Sequence, residues 1–233
     1  MACAKQDFFG SALHGVVPEG WVDGSTLRQV PDHQELFLSR TTLSNMIIEL
    51  NQRVNANDAL STMSQPQSHQ PTPAPPGGAS ANSETVDKAA ALYHLHDLCE
   101  EGDTLETIVP AEKVTMGKFP PSVSAYKGVV SYITPKRERG AGGRIPVDVE
   151  GAAAGGFGGP GGKEGLSSKL TCHYLLVRLE QQGTDLLVFF NVPHQEFDGS
   201  GDPRGLSREE ELAGAVIERL VQELEIRDWG LFV

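Results

Sequence analysis

Cysteine is scarce in this chain: Cys3, Cys99 and Cys172 are an odd number, and no two stand in CxxC spacing. That excludes a disulfide framework and fits a reducing compartment, with each thiol a core or surface residue. Positive charge is also short. Lys and Arg total 19 against 31 Asp and Glu, a formal net charge of -12, so nucleic acid would be repelled and a basic protein surface attracted. Long apolar runs are missing too. The stretch 186–190 is among the longest, far below the roughly 20 residues that cross a bilayer as a helix. Residues 1–9 hold Lys5 and Asp7 and lack the apolar core of about 7 to 15 residues that a secretory signal needs. The expectation is a protein of the nucleus and cytoplasm that binds no membrane.

What is present divides into biased and patterned text. Residues 55–83 collapse into Ser, Gln, Pro, Ala and Gly, and residues 138–168 carry a glycine-rich run around Phe157. Neither composition can pack a core. Both lie between patterned segments, so the organisation expected is a single domain over residues 1–233, interrupted by insertions at 55–83 and 138–168.

The patterned segments are mostly extended. Residues 13–17, 35–40, 46–54, 104–114, 122–134, 170–181 and 185–192 are rich in β-branched or aromatic residues or bounded by Pro, Gly and Asn, which predicts strands. Gln182, Gly183 and Thr184 are short enough for a hairpin between the last two. Residues 84–100 predict an amphipathic helix with Gly102 beyond it. A second helix is predicted from Ser207, with Glu210 completing a capping box and Leu212, Val216, Ile217, Leu220, Val221 and Leu224 on one face. Strands, a helix, further strands and a terminal helix define an α+β protein with a central, mostly antiparallel sheet flanked by helices.

Catalytic constellations do not assemble in the sequence. Gly162-Lys163 is followed by Glu164 where a P-loop needs Ser or Thr. His94 and His96 point about 200° apart on a helix, unsuited to one metal. Ser200 lacks the offset of a nucleophile elbow, and Cys172 and His173, adjacent in a strand, point to opposite faces. Lys136, Arg137 and Arg139 read as a solvated cluster beside the second insertion, with a nuclear address as the alternative. Asp23, Asp32, Glu35, Glu49 and Glu106 fall in or beside strands and turns. They form either one acidic surface or an ordinary solvated face.

One resemblance favours the surface. The phrase Leu27-Arg28-Gln29-Val30-Pro31-Asp32-His33-Gln34-Glu35-Leu36-Phe37 is similar to the Leu-Arg-x-Val-Pro-Asp-x-Gln-Glu phrase of the Ran guanine-nucleotide release factors, the Mog-type nuclear import factors. Phe9-Gly10-Ser11-Ala12, Val17-Pro18-Glu19-Gly20-Trp21-Val22-Asp23, Ile47-Ile48-Glu49-Leu50, Tyr93 to Leu98 and Thr184 to Pro193 resemble further family segments. The resemblance implies the Mog/PsbP-like α/β/α sandwich and the GTPase Ran as partner, with import receptors reached indirectly. It implies a non-catalytic role in nuclear protein import that promotes guanine-nucleotide release, with no cofactor, no metal, no nucleic acid and a monomeric state. The Ran-binding set implied is Asp23, Arg28, Asp32, Gln34, Glu35, Glu49 and Gln52. Gln52 stands where the family commonly carries Glu, which removes one charge. The rival readings are a passive Ran scaffold and a small-molecule enzyme using His94 as base.

Overall fold

The computed structural model describes residues 2–63, 82–135, 167–198 and 201–232. Its centre is a seven-stranded, wholly antiparallel sheet built from β3 (Val22–Asp23), β4 (Gln34–Leu38), β5 (Asn45–Gln52), β6 (Thr104–Val114), β7 (Ser124–Pro135), β8 (Ser167–Leu179) and β9 (Thr184–Pro193). The spatial order is β3-β4-β5-β9-β8-β7-β6. A smaller sheet joins β1 (Cys3–Phe8), β2 (Leu13–Pro18) and β10 (Glu225–Ile226). Three α-helices, α1 (Ala56–Met63), α2 (Ser83–Asp97) and α3 (Gly205–Glu223), and four short 3-10 segments complete the described elements.

Strand alternation splits the core into two layers. On one face of the large sheet, Ile48, Leu175, Val177, Val188 and Phe190 pack with β2 and with Val216, Ile217, Leu220 and Val221 of α3. On the other, Tyr174, Leu176, Leu187 and Phe189 meet Ala89, Ala90, Ala91 and Leu95 of α2 and Ala59 of α1. β8 and β9 are buried on both faces because they sit at the middle of the sheet with helices above and below. Each aliphatic side chain of α3 removed from water contributes about 1.5–3 kcal/mol before entropy is subtracted.

Several expectations hold with shifted ends. All seven predicted strands are present, and Gly183 turns the β8–β9 connection with φ 61, a left-handed geometry that glycine adopts without strain. The α3 stripe is buried as its spacing requires. Its capping box is not formed. The helix begins at Gly205, which places Ser207 inside it, and the Glu210 carboxylate lies 2.6 Å from His173 Nε2 and 3.4 Å from His194 Nε2. α2 stops at Asp97, well before Gly102. The stretch from 55 also opens with α1, whose Ala59 is fully buried, so its first residues do pack. Lys136, Arg137, Arg139, Gly162, Lys163, Glu164 and Ser200 lie outside the described residues.

Candidate functional site: a charged corner of the large sheet

The edge strand β3 has only two residues and covers β4 only at Phe37 and Leu38. The chain then leaves the sheet and does not return until Gln34. Three local devices shape this excursion. Asp23 accepts a hydrogen bond from the Ser25 N–H at 2.8 Å and so caps a short 3-10 turn, Gly24–Thr26. Gly24 is required there, since a Cβ would stand 2.7 Å from Leu36 Cδ2. The Gln34 N–H donates to Pro31 O at 2.9 Å, and the Leu50 N–H to His33 O at 2.9 Å, which pins the end of the loop alongside β5.

The result is a projecting loop with exposed Leu27, Arg28 and Asp32. Leu27 is 69% exposed, a large apolar side chain presented among charges. Among the described residues, the side chains of Arg28 and Asp32 have no hydrogen bond or ion pair. Gln52, at the end of β5, is exposed as well. These groups and Asp23 line one edge of the sheet, with Asp23 at the start of the loop opposite Phe37 and Gln52 near its end, where His33 meets Leu50.

The register separates the remaining acids. Glu35 is paired with Ile48, and Gln34 with Glu49. Opposed residues share a face and successive ones alternate, so Glu35 points to the α3 face and Glu49 to the face of α1 and α2. The expectation that Glu35 and Glu49 lie on one surface is therefore corrected. Glu49 is 8% exposed, with its carboxylate 4.0 Å from His33 Nε2. Glu35 is half-buried and accepts the Phe9 N–H. Burial raises its pKa above the ordinary carboxylate value, the nearby Asp23 charge adds to the rise, and the Phe9 hydrogen bond opposes it.

A second set of ionisable groups lies beneath α2 and was only partly visible in the sequence. Arg178 and Asp185 are paired across β8 and β9, with Nε 2.9 Å from Oδ1. His94 Nε2 and the Val54 N–H stand 2.9 Å and 3.0 Å from Asp185 Oδ2, while Arg178 donates to Val54 O at 2.7 Å. Asp87 of α2 lies 3.4 Å from Arg178 and accepts from the Tyr126 hydroxyl, whose pKa burial pushes up to about 12. His94 thus has the charged partner that the sequence did not reveal. It is 6% exposed and does not line the adjacent cavity of about 280 Å³, which is bordered by Arg53, Asp87, Arg178 and Trp229. Among the described residues, no three His, Cys, Asp or Glu side chains are placed to hold a metal ion.

Cys172 and His173 do separate: Cys172 is buried under α2, and His173 contacts Glu210 of α3.

The architecture is an α+β sandwich, and solved structures share that fold. The crystal structure of the Saccharomyces cerevisiae Ran-binding protein Mog1p superposes with a TM-score of 0.57, at 20% identity and over 100% of both chains. A point mutant of protein Mog1 gives 0.59 at the same identity and coverage. The bovine (Bos taurus) Ran guanine nucleotide release factor is 26% identical over 96% of this chain and 94% of its own. The Saccharomyces cerevisiae nuclear import protein MOG1 is 22% identical over 97% and 83%. The model of the family described as Ran-interacting Mog1 protein matches residues 6–193, and the chain belongs to that family.

Proposed function

We propose that this protein binds Ran, promotes release of its guanine nucleotide and supports nuclear protein import, and that it docks through the corner built by residues 23–34 and 52. The family assignment supports the partner. The observation that supports the place is the pair of uncompensated side chains, Arg28 and Asp32, beside exposed Leu27. Charges without internal partners add little to a fold and remain available to an incoming surface. An exposed apolar group in the same loop supplies the dry contact that interface cores need.

No acid, base or nucleophile is required. If the protein binds nucleotide-free Ran more tightly than loaded Ran, reciprocity makes nucleotide bind more weakly by the same factor, with typical couplings of about 1–3 kcal/mol. The net charge of -12 favours encounter with a basic surface. Such a role places the protein in both nucleus and cytoplasm. The test is release of a fluorescent guanine nucleotide from Ran with wild-type protein and with Asp32→Lys. Loss of both binding and release in the variant supports this reading. Binding of the wild type without any release reduces the protein to a passive scaffold.

A further inference from the structure

Glu35 differs from Arg28 and Asp32 in being half-buried and already hydrogen-bonded within the protein. Among the described residues its one hydrogen-bond donor is the main-chain N–H of Phe9, in the turn between β1 and β2. That turn is unusual. Phe9 and Ser11 hold φ of 49 and 75, the only positive values among the described non-glycine residues, with Gly10 between them at 63. Left-handed backbone is unfavourable for a residue with a side chain, so the conformation persists only where surrounding contacts enforce it. Phe8 beneath the turn is fully buried and meets Phe37 edge-on at 5.5 Å, while Gly10 and Ser11 are exposed. Phe37 is paired with Asp23, so the anchored turn lies on the same side of the sheet as Asp23.

We propose that Glu35 is a positioning residue that contacts the main chain rather than the partner. In this assignment it fixes the turn over residues 9–11 as a second wall of the docking corner. The inference rests on the docking reading above. Its distinctive content is chemical: the strut needs a hydrogen-bond acceptor at position 35, not a negative charge. A carboxylate placed for a cationic partner would need that charge. A carboxamide supplies the same acceptor oxygen to Phe9, and Ala supplies none.

The experiment measures Ran affinity by titration calorimetry, and Phe9 amide exchange on the free protein by NMR. The variants are Glu35→Gln, Glu35→Ala, Ser11→Lys and, as a control, Asp32→Lys. Position 11 already carries a side chain at its positive φ, so Ser11→Lys changes the surface of the turn and not its backbone demand. Glu35→Gln is expected to keep near wild-type affinity and slow Phe9 exchange. Glu35→Ala is expected to lose about tenfold in affinity, the scale of one hydrogen bond to a charged group, and to speed Phe9 exchange. Ser11→Lys should weaken binding while Phe9 exchange stays slow.

Equal loss in Glu35→Gln and Glu35→Ala, with Phe9 still protected in the Gln variant, would identify a direct charge contact and overturn the proposal. Wild-type affinity in Glu35→Ala or in Ser11→Lys would also overturn it. Failure of the docking reading itself shows separately, as wild-type affinity in Asp32→Lys. Phe9 exchange in the free protein reports on the strut independently of Ran.

Discussion

Two groups of charged side chains occupy the same fold on opposite terms. Beneath α2, Arg178, Asp185, Asp87 and His94 are nearly inaccessible and are paired charge against charge, Arg178 with Asp185 and Asp87, and His94 with Asp185. At the edge of the sheet, Asp23, Arg28 and Asp32 are exposed, and among the described residues the last two face no partner. Buried charge must be compensated inside the protein, since desolvation of an unpaired ion costs several kcal/mol. Exposed charge carries no such demand. The interior group therefore serves the fold, tying Val54, α2 and the central hairpin together, and the corner group is free to serve a partner.

That contrast can be broken most forcefully from inside. Asp185→Ala would remove the nearer carboxylate from the buried Arg178 guanidinium and leave the Val54 N–H without its acceptor, and the expected loss is about 3–5 kcal/mol in urea unfolding. A loss below 1 kcal/mol would mean that water or a rotated side chain replaces Asp185 easily. Next in size is Leu220→Ala, which empties a fully buried position of α3 and should cost about 2–5 kcal/mol in the same measurement.

Asp32→Lys should leave unfolding within about 0.5 kcal/mol of wild type, as at other exposed positions. Its effect belongs in Ran association, slower and less dependent on salt than wild type. A large loss of stability would move Asp32 into the interior class.

Glu35 lies between the two groups, and its pH dependence should be the smallest effect. Its pKa is raised in the folded state, so ionisation opposes folding. The stability it contributes is full below the unfolded-state pKa and is lost as pH rises through the folded-state value. Glu35→Gln, which never ionises, should therefore equal wild type in thermal melts near pH 3 and be slightly more stable at pH 7. A less stable Gln variant at pH 7 would mean that the charge itself holds the turn.

Much of this fold was legible because its signals are strong and local. The stripe from Leu212 to Leu224 and the apolar runs of β8 and β9 fix one helix and the central hairpin by spacing alone. β1 was missed because Cys3–Phe8 reads as polar and contributes only one fully buried side chain to the core. α1 was missed because Asn, Ser and Thr depress helix propensity while tertiary contact at Ala59 stabilises it.

The site was half legible. Asp32 and Arg28 stood in a recognisable phrase, but strand parity was overlooked for Glu35 and Glu49, whose partners Ile48 and Gln34 belong to opposite faces. Adjacency alone puts Gln34 and Glu35 on opposite faces, but the pairing of Glu49 with Gln34 comes from the register. Leu27 stands in the same phrase, and nothing local in the sequence says that it is exposed to solvent. The pairing of His94 with Asp185 spans 91 positions, beyond the reach of any local pattern.

The most direct test of a docking corner made from uncompensated charge is the association rate of Ran with wild-type protein and with Asp32→Lys across a salt series. The wild-type rate is predicted to fall steeply with salt, and the variant to be slower at low salt and to converge on wild type at high salt. Identical rates and identical salt slopes for the two proteins would contradict the assignment of this corner.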